Sequence, residues 1–301
     1  MRVSRRALMV GAGVAALGSV TPVRRNFAEP GIKEYQLSAK PAVVNLTGNG
    51  HPDTAVWAYD GTVPGTELRV RRGDPLRIVV SNKLGENATV HWHGIRLPNP
   101  MDGVPGLTQP PIRPGESFTY EFTPPDAGTF WYHPHADSLQ QLGRGLAGAF
   151  IVDEREPVAV DRDILWFIED WRLDDSGRIA PGFGNPMEAG MSGRIGNTIA
   201  VNGRVPDRVA VKAGERVRLR IVNAALARIV GLRFEGHRPV VISHDGQPCE
   251  PYLSEGGRLV LGPAMRADLI IDIRKGGSNL PRHRRFLSGS RLQARRFGLW
   301  P

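Results

Sequence analysis

The sequence predicts an all-β protein built from two consecutive Greek-key β-sandwich domains. Three observations carry this. The 301 residues contain 36 glycines and 25 prolines that punctuate many short Val/Ile/Thr-rich runs, the pattern of a sandwich rather than of a helical bundle. The length suits two domains of ordinary size. An internal repeat relates the two halves.

The first domain is expected over residues 33–153. Tyr35-Gln36-Leu37-Ser38-Ala39 begins an alternating pattern, and Tyr59-Asp60-Gly61 turns the chain into Thr66–Val70. A second turn, Arg72-Gly73-Asp74-Pro75, leads to Leu76–Val80, which reads as a strand with at least one buried face. Residues 97–106 hold three prolines and two glycines and exclude a helix. Phe118–Phe122 alternates again, and the apolar run Ala147–Val152 closes the domain.

The second domain is expected over residues 158–273. Asp60-Gly61-Thr62-Val63-Pro64 reappears as Asn202-Gly203-Arg204-Val205-Pro206, and Leu76–Asn82 reappears as Val217–Asn223. This register places Leu232 opposite His91 and Phe234 opposite His93, so the second domain is expected to carry core side chains at those two positions. Arg266–Asp272 is the best match for a strand equivalent to Trp131–His135, again without histidine.

Half of the eight histidines fall in two short stretches, His91-Trp92-His93-Gly94 and Trp131-Tyr132-His133-Pro134-His135. Both stretches follow strand-like sequence, and residues i and i+2 of a strand share a face. Each His-x-His therefore aims two imidazoles one way. Four such groups suit copper, zinc, iron or nickel. His237 and His244 lack an i+2 partner and read as hydrogen-bonded loop residues. Cys249, the only cysteine, has no histidine beside it and reads as a small loop or core residue; it excludes an internal disulfide framework and a cysteine metal cage.

The formal charge of +9 sits at the ends of the chain. Residues 29–273 carry 26 basic and 30 acidic side chains, which gives no footprint for nucleic acid. Residues 274–301 form a basic, patternless tail. At the other end, Ser4-Arg5-Arg6-Ala7-Leu8-Met9 precedes the short apolar run Val10–Val20. Residues 1–28 thus read as a twin-arginine-type signal peptide, and the expected destination is the periplasm.

His91–Gly94, the Met101-Asp102-Gly103-Val104 loop, Trp131–His135 and the Asp245-Gly246-Gln247-Pro248 loop resemble the first two cupredoxin domains of a three-domain, laccase-like multicopper oxidase, over about residues 33–273. The resemblance implies two cupredoxin-like sandwiches and copper as cofactor. In that family a blue copper takes single electrons from substrate and passes them to a trinuclear cluster, where dioxygen becomes water. The first and last domains each supply half of the cluster's histidines. On this likeness His91 binds the type 2 copper, while His93, His133 and His135 bind the type 3 pair. Asp102 matches an acidic residue that helps to deliver protons, although an aspartate before glycine is equally a turn former.

The resemblance stops short of the last domain, whose His-x-x-His-x-His and His-Cys-His motifs do not occur in this sequence. The expectation is a chain shortened by truncation or a frame shift, or one completed by a partner chain or oligomer that supplies the missing ligands. Two functions follow. One is a copper-binding oxidoreductase that couples substrate oxidation to dioxygen reduction, incomplete as an isolated chain. The alternative is a non-enzymatic exported copper-binding or scaffold protein. A two-domain laccase or a copper nitrite reductase would need a cysteine ligand set that is absent. Six scattered methionines argue against a cuprous-ion oxidase.

Overall fold

A computed structural model describes residues 31–48, 50–205, 209–273 and 285–287. The expected signal at 1–28 and all of the basic tail but residues 285–287 lie outside these. Among the described residues, no helix is long and apolar enough to cross a membrane.

The first half contributes β1 (Lys33–Val44), β2 (Thr54–Tyr59), β3 (Gly65–Arg71), β4 (Leu76–Asn82), β5 (His91–His93), β6 (Ser117–Phe122), β7 (Gly128–His133) and β8 (Gly148–Asp153). They form two four-stranded sheets, in the orders β2-β1-β4-β6 and β3-β8-β7-β5. Strict alternation of buried and half-buried residues along β4 sends Leu76, Ile78 and Val80 into a core with Leu68, Trp92, Tyr120, Phe130, Tyr132 and Phe150. The 97–106 loop is irregular as its prolines require, apart from one 3-10 turn at Asn99–Met101.

The second half contributes β9 (Arg162–Trp171), β10 (Thr198–Val201), β11 (Val209–Val211), β12 (Arg216–Asn223), β13 (Val230–Arg233), β14 (Val240–His244), β15 (Gln247–Leu253), β16 (Arg258–Leu261) and β17 (Arg266–Asp272). Its large sheet runs β10-β9-β12-β17-β14-β15. The repeat is visible in the pairing: β12 runs parallel to β9 as β4 does to β1, and each also pairs with an antiparallel neighbour. Leu232 and Phe234 are buried in the second core, as the repeat register requires.

One strand assignment is corrected. Arg266–Asp272 pairs with β12 through Val217↔Ile271, as β6 pairs with β4 through Leu76↔Phe122. It is the counterpart of β6, not of Trp131–His135. An apolar run shows that a strand is buried but not which sheet it joins.

Every residue of β7 is buried, because the strand is covered on both sides. Phe130 and Tyr132 face the first core, while Trp131 packs with Phe167, Val222 and Ala224 of the second half. Beside this contact lies a buried ionic cluster. Arg218 Nη2 is 2.6 Å from Asp268 Oδ2, and Arg220 Nη1 is 3.3 Å from the same oxygen. Arg220 Nε also reaches Asp163, and Arg218 forms a two-pronged pair with Glu154. Thr129 Oγ1 of β7 donates to Asp268 Oδ1 at 2.6 Å. At the same seam Gly128 meets Gly246 backbone to backbone: a Cβ on Gly128 would lie 2.6 Å from the Gly246 carbonyl oxygen.

Candidate metal centre

The strands that carry the histidine pairs are set by what they bury. Trp92 and Tyr132 point into the first core, both fully buried. Trp92 contacts Tyr120, Phe122, Tyr132 and Phe150, with ring centroids 5.2–5.9 Å apart. With Trp92 inward, the alternation of a strand sends His91 and His93 to the opposite face. β5 pairs antiparallel with β7, setting His91 opposite His133 and His93 opposite Trp131. His135 lies just past the end of β7, where its backbone N–H donates to Thr89 Oγ1 at 3.1 Å.

The four imidazoles meet. Ligand nitrogens of His91, His93 and His133 lie within 4.8 Å of one another. The His135 ring joins them, 4.3 Å from His91 and 5.2 Å from His133 between centroids. His93 Nδ1 is 3.2 Å from His133 Nε2, and His133 Nδ1 is 3.2 Å from the Pro134 carbonyl. His91 Nδ1 donates to the Asp102 carbonyl oxygen at 2.8 Å, which leaves its Nε2 lone pair for another partner.

Burial and neighbouring charge favour the neutral form of three of these rings, His93, His133 and His135. The His93 pKa is pushed down to about 3, by burial first and then by the Arg266, His91 and His135 charges. Burial and the three neighbouring rings hold His133 well below the ordinary histidine value. His135 is lowered by burial and His91, against a smaller opposing pull from Asp102. Neutral imidazoles gathered on one face are the donor set that borderline metals such as copper take. The residues fit the ion.

Asp102 approaches His91 in two ways. Its carbonyl takes the hydrogen bond, and its carboxylate Oδ1 stands 3.3 Å from the same Nδ1. The loop presses this close because residue 103 is glycine: its φ is 78°, and a Cβ there would sit 1.8 Å from the Val90 carbonyl oxygen. The sequence assigned Asp102 through its side chain; the main-chain contact carries no residue signature.

The sequence offers Arg266 only as the start of a strand, not as a neighbour of the histidines. The residue is buried, its Nη2 donates to the Asp245 carbonyl at 2.7 Å and its Nε to the Thr129 carbonyl at 3.3 Å. Its guanidinium fills the space beside Gly94, where a Cβ would lie 2.0 Å from Nη2. Asp245 and Gly246 both have positive φ, the two-residue turn that an Asp-Gly pair favours between antiparallel strands. The remaining histidine readings stand apart from the cluster. His244 bonds Tyr252 Oη at 2.7 Å on the β14–β15 hairpin, and the His237 backbone N–H donates to the Phe234 carbonyl at 3.3 Å. Cys249 is half-buried against the second core.

Two family models, both described as multicopper oxidase, match residues 42–157 and 164–278. The multicopper oxidase MmcO of Mycobacterium tuberculosis is 33% identical over 264 residues, covering 78% of this chain and 51% of its own. Laccase-2 of Botryotinia fuckeliana is 32% identical over 263 residues, covering 82% of this chain and 44% of its own. A crystal structure of a multicopper oxidase from Pseudomonas thermotolerans superposes with a TM-score of 0.78 at 42% identity, over 82% of this chain and 59% of that one. The chain spans about half the length of the curated relatives it matches. With two matching models in succession and this fold around a cluster of histidines, the chain belongs to the multicopper oxidase family.

Proposed function

We propose that His91, His93, His133 and His135 hold copper as one half of an oxygen-reducing cluster, His91 on the type 2 ion and the other three on the type 3 pair. The observation that carries this is the convergence of four imidazoles, three of them with ligand nitrogens within 4.8 Å. Copper there supplies one-electron chemistry that, in a complete cluster, couples oxidation of a donor to reduction of dioxygen to water. The chain's own residues orient and tune the donors. The Asp102 carbonyl fixes the His91 tautomer, and the Asp102 carboxylate stands where it could hold a proton close to Nδ1. Burial, and after it the Arg266 charge, disfavours protonation of His93.

The other ligands come from outside this sequence, through a further domain, a partner chain or an oligomer. Cys249, half-buried on the second core, is no substitute for a blue-copper thiolate. The arginine pair and apolar run at residues 5–20 support export to the periplasm by the twin-arginine route.

Copper content and the absorption spectrum of the purified chain test the reading. The expected result is one to two coppers per chain without an intense blue band, lost on replacing His93 or His133. Copper content unaffected by either replacement would refute the ligand assignment. An alternative reading, a non-catalytic copper carrier or scaffold, predicts that restoring the missing ligands in trans yields no dioxygen consumption.

A further inference from the structure

A cleft of about 530 Å³ opens where the two halves meet, and none of the four clustered histidines lines it. A volume of that order is ordinary for a small-molecule site. Its wall comes from the turn between β3 and β4, the approach to β7, the connection from β8 to β9, the strand β12 and the β14–β15 hairpin.

Four charged side chains line the cleft, and three of them are paired. Arg218 Nη2 is held between Glu154, at 2.8 Å, and Asp268, at 2.6 Å. Asp126 forms a two-pronged pair with Arg96, at 2.7 and 2.8 Å. Arg72 is the fourth. Among the described residues its guanidinium forms no ion pair, and it acts on Asp126 only at longer range. A second guanidinium stands close by: Arg155 Nε donates to the Arg72 carbonyl at 3.3 Å, and Arg155 Nη2 lies against Gly73. Arg155 too has no ion pair among the described residues. The spare charge of the cleft is therefore positive and sits at the β3–β4 turn.

The opposite character comes from β14. Ile242 and Ser243 both line the cleft, although consecutive residues of a regular strand face opposite ways. A bulge allows it. Val241 pairs with Leu269 and Ser243 with Asp268, which leaves Ile242 as an extra residue on β14. Bulges re-aim side chains and recur beside functional sites. With Val158 and Pro248, Ile242 gives the cleft an apolar wall.

We propose that this cleft binds a small organic carboxylate with an apolar body, the carboxylate on the Arg72 guanidinium and the body against Ile242, Val158 and Pro248. The planar fork of arginine matches a carboxylate. Asp126 and Glu154 in the same wall disfavour a doubly charged guest, and the apolar wall disfavours a hydrated inorganic anion. The site is independent of copper.

Calorimetric titration of the whole chain with hexanoate, benzoate and phenylacetate, and with the three corresponding amides, tests the proposal. At least one acid should bind with a dissociation constant of about 1 mM or tighter, and its amide at least about tenfold more weakly. Arg72→Gln should weaken the acid by a similar factor, as should Val158→Asp, which sets a like charge in the wall. Both positions are exposed, so these variants leave the core alone. Arg113→Gln, an exposed arginine outside the cleft, should change nothing. Affinity should be the same with and without added copper, so this proposal and the copper reading fail separately. No binding by any of the acids, equal binding of acid and amide, inorganic phosphate binding as well as the acids, or full affinity in Arg72→Gln would overturn the proposal. Binding that requires copper would move the acid to the histidines and overturn it as well.

Discussion

His91 Nδ1 is held by the carbonyl oxygen of Asp102, 2.8 Å away, rather than by its carboxylate, at 3.3 Å. A side-chain replacement therefore leaves the ring's main tether in place. Asp102→Asn should bind copper as the wild type does. Gly103→Ala, whose Cβ would collide with the Val90 carbonyl, should displace the tether and weaken copper binding by at least about tenfold. Copper titrations on the two variants make the comparison, and a large loss with Asp102→Asn would shift the role back to the carboxylate.

His93 sits between His91 and Trp131 on the edge strand of its sheet. His93→Gln keeps a polar group of similar size but removes an imidazole. Copper retained after dialysis should fall, with the fold intact by far-ultraviolet circular dichroism.

The metal-free chain should be acid-labile. His93 is held at about 3, and His133 is also lowered, whereas an unfolded histidine titrates near 6.5. Below about pH 6.5 the unfolded state takes up protons that the folded state refuses, so stability falls as pH drops toward about 3. Urea midpoints measured from neutral to mildly acidic pH should decline, and the decline should be shallower in His93→Gln. Acid should release bound copper over the same range.

Asp268 faces both Arg218 and Arg220 where all three are shielded from water. Asp268→Asn would leave two buried guanidinium groups short of a counter-charge. The expected destabilisation is about 3–5 kcal/mol, read from the shift in urea midpoint. Arg216→Gln, at the exposed pair with Asp272, should change it by less than about 1 kcal/mol.

The gathering of the four histidines was legible because two physical periods coincide. A strand alternates every second residue, and His-x-His with tryptophan between puts the imidazoles on one side and the indole in the core. The repeat was legible for the same reason, since Leu232 and Phe234 keep the alternation while changing its chemistry. The contacts that tune the site were not. Arg266 is far from Gly94 in sequence, and nothing in its neighbours reveals that its guanidinium ends beside the strand of His91 and His93. The tether on His91 is a carbonyl oxygen, which every residue possesses. The placing of β17 failed because strand pairing is a long-range choice among equally apolar candidates.

The touch of Gly128 on Gly246 sets a rule for recombining relatives. At this one point main chain touches main chain, so a Cβ on Gly128 would meet backbone rather than a side chain that could move aside. A hybrid that joins one protein's amino-terminal half to another's carboxy-terminal half must keep glycine on both sides. A single added methyl would act as a wedge at the start of β7, the strand that ends at His133. A hybrid that loses this glycine is therefore expected to misplace His133, at the far end of the same strand.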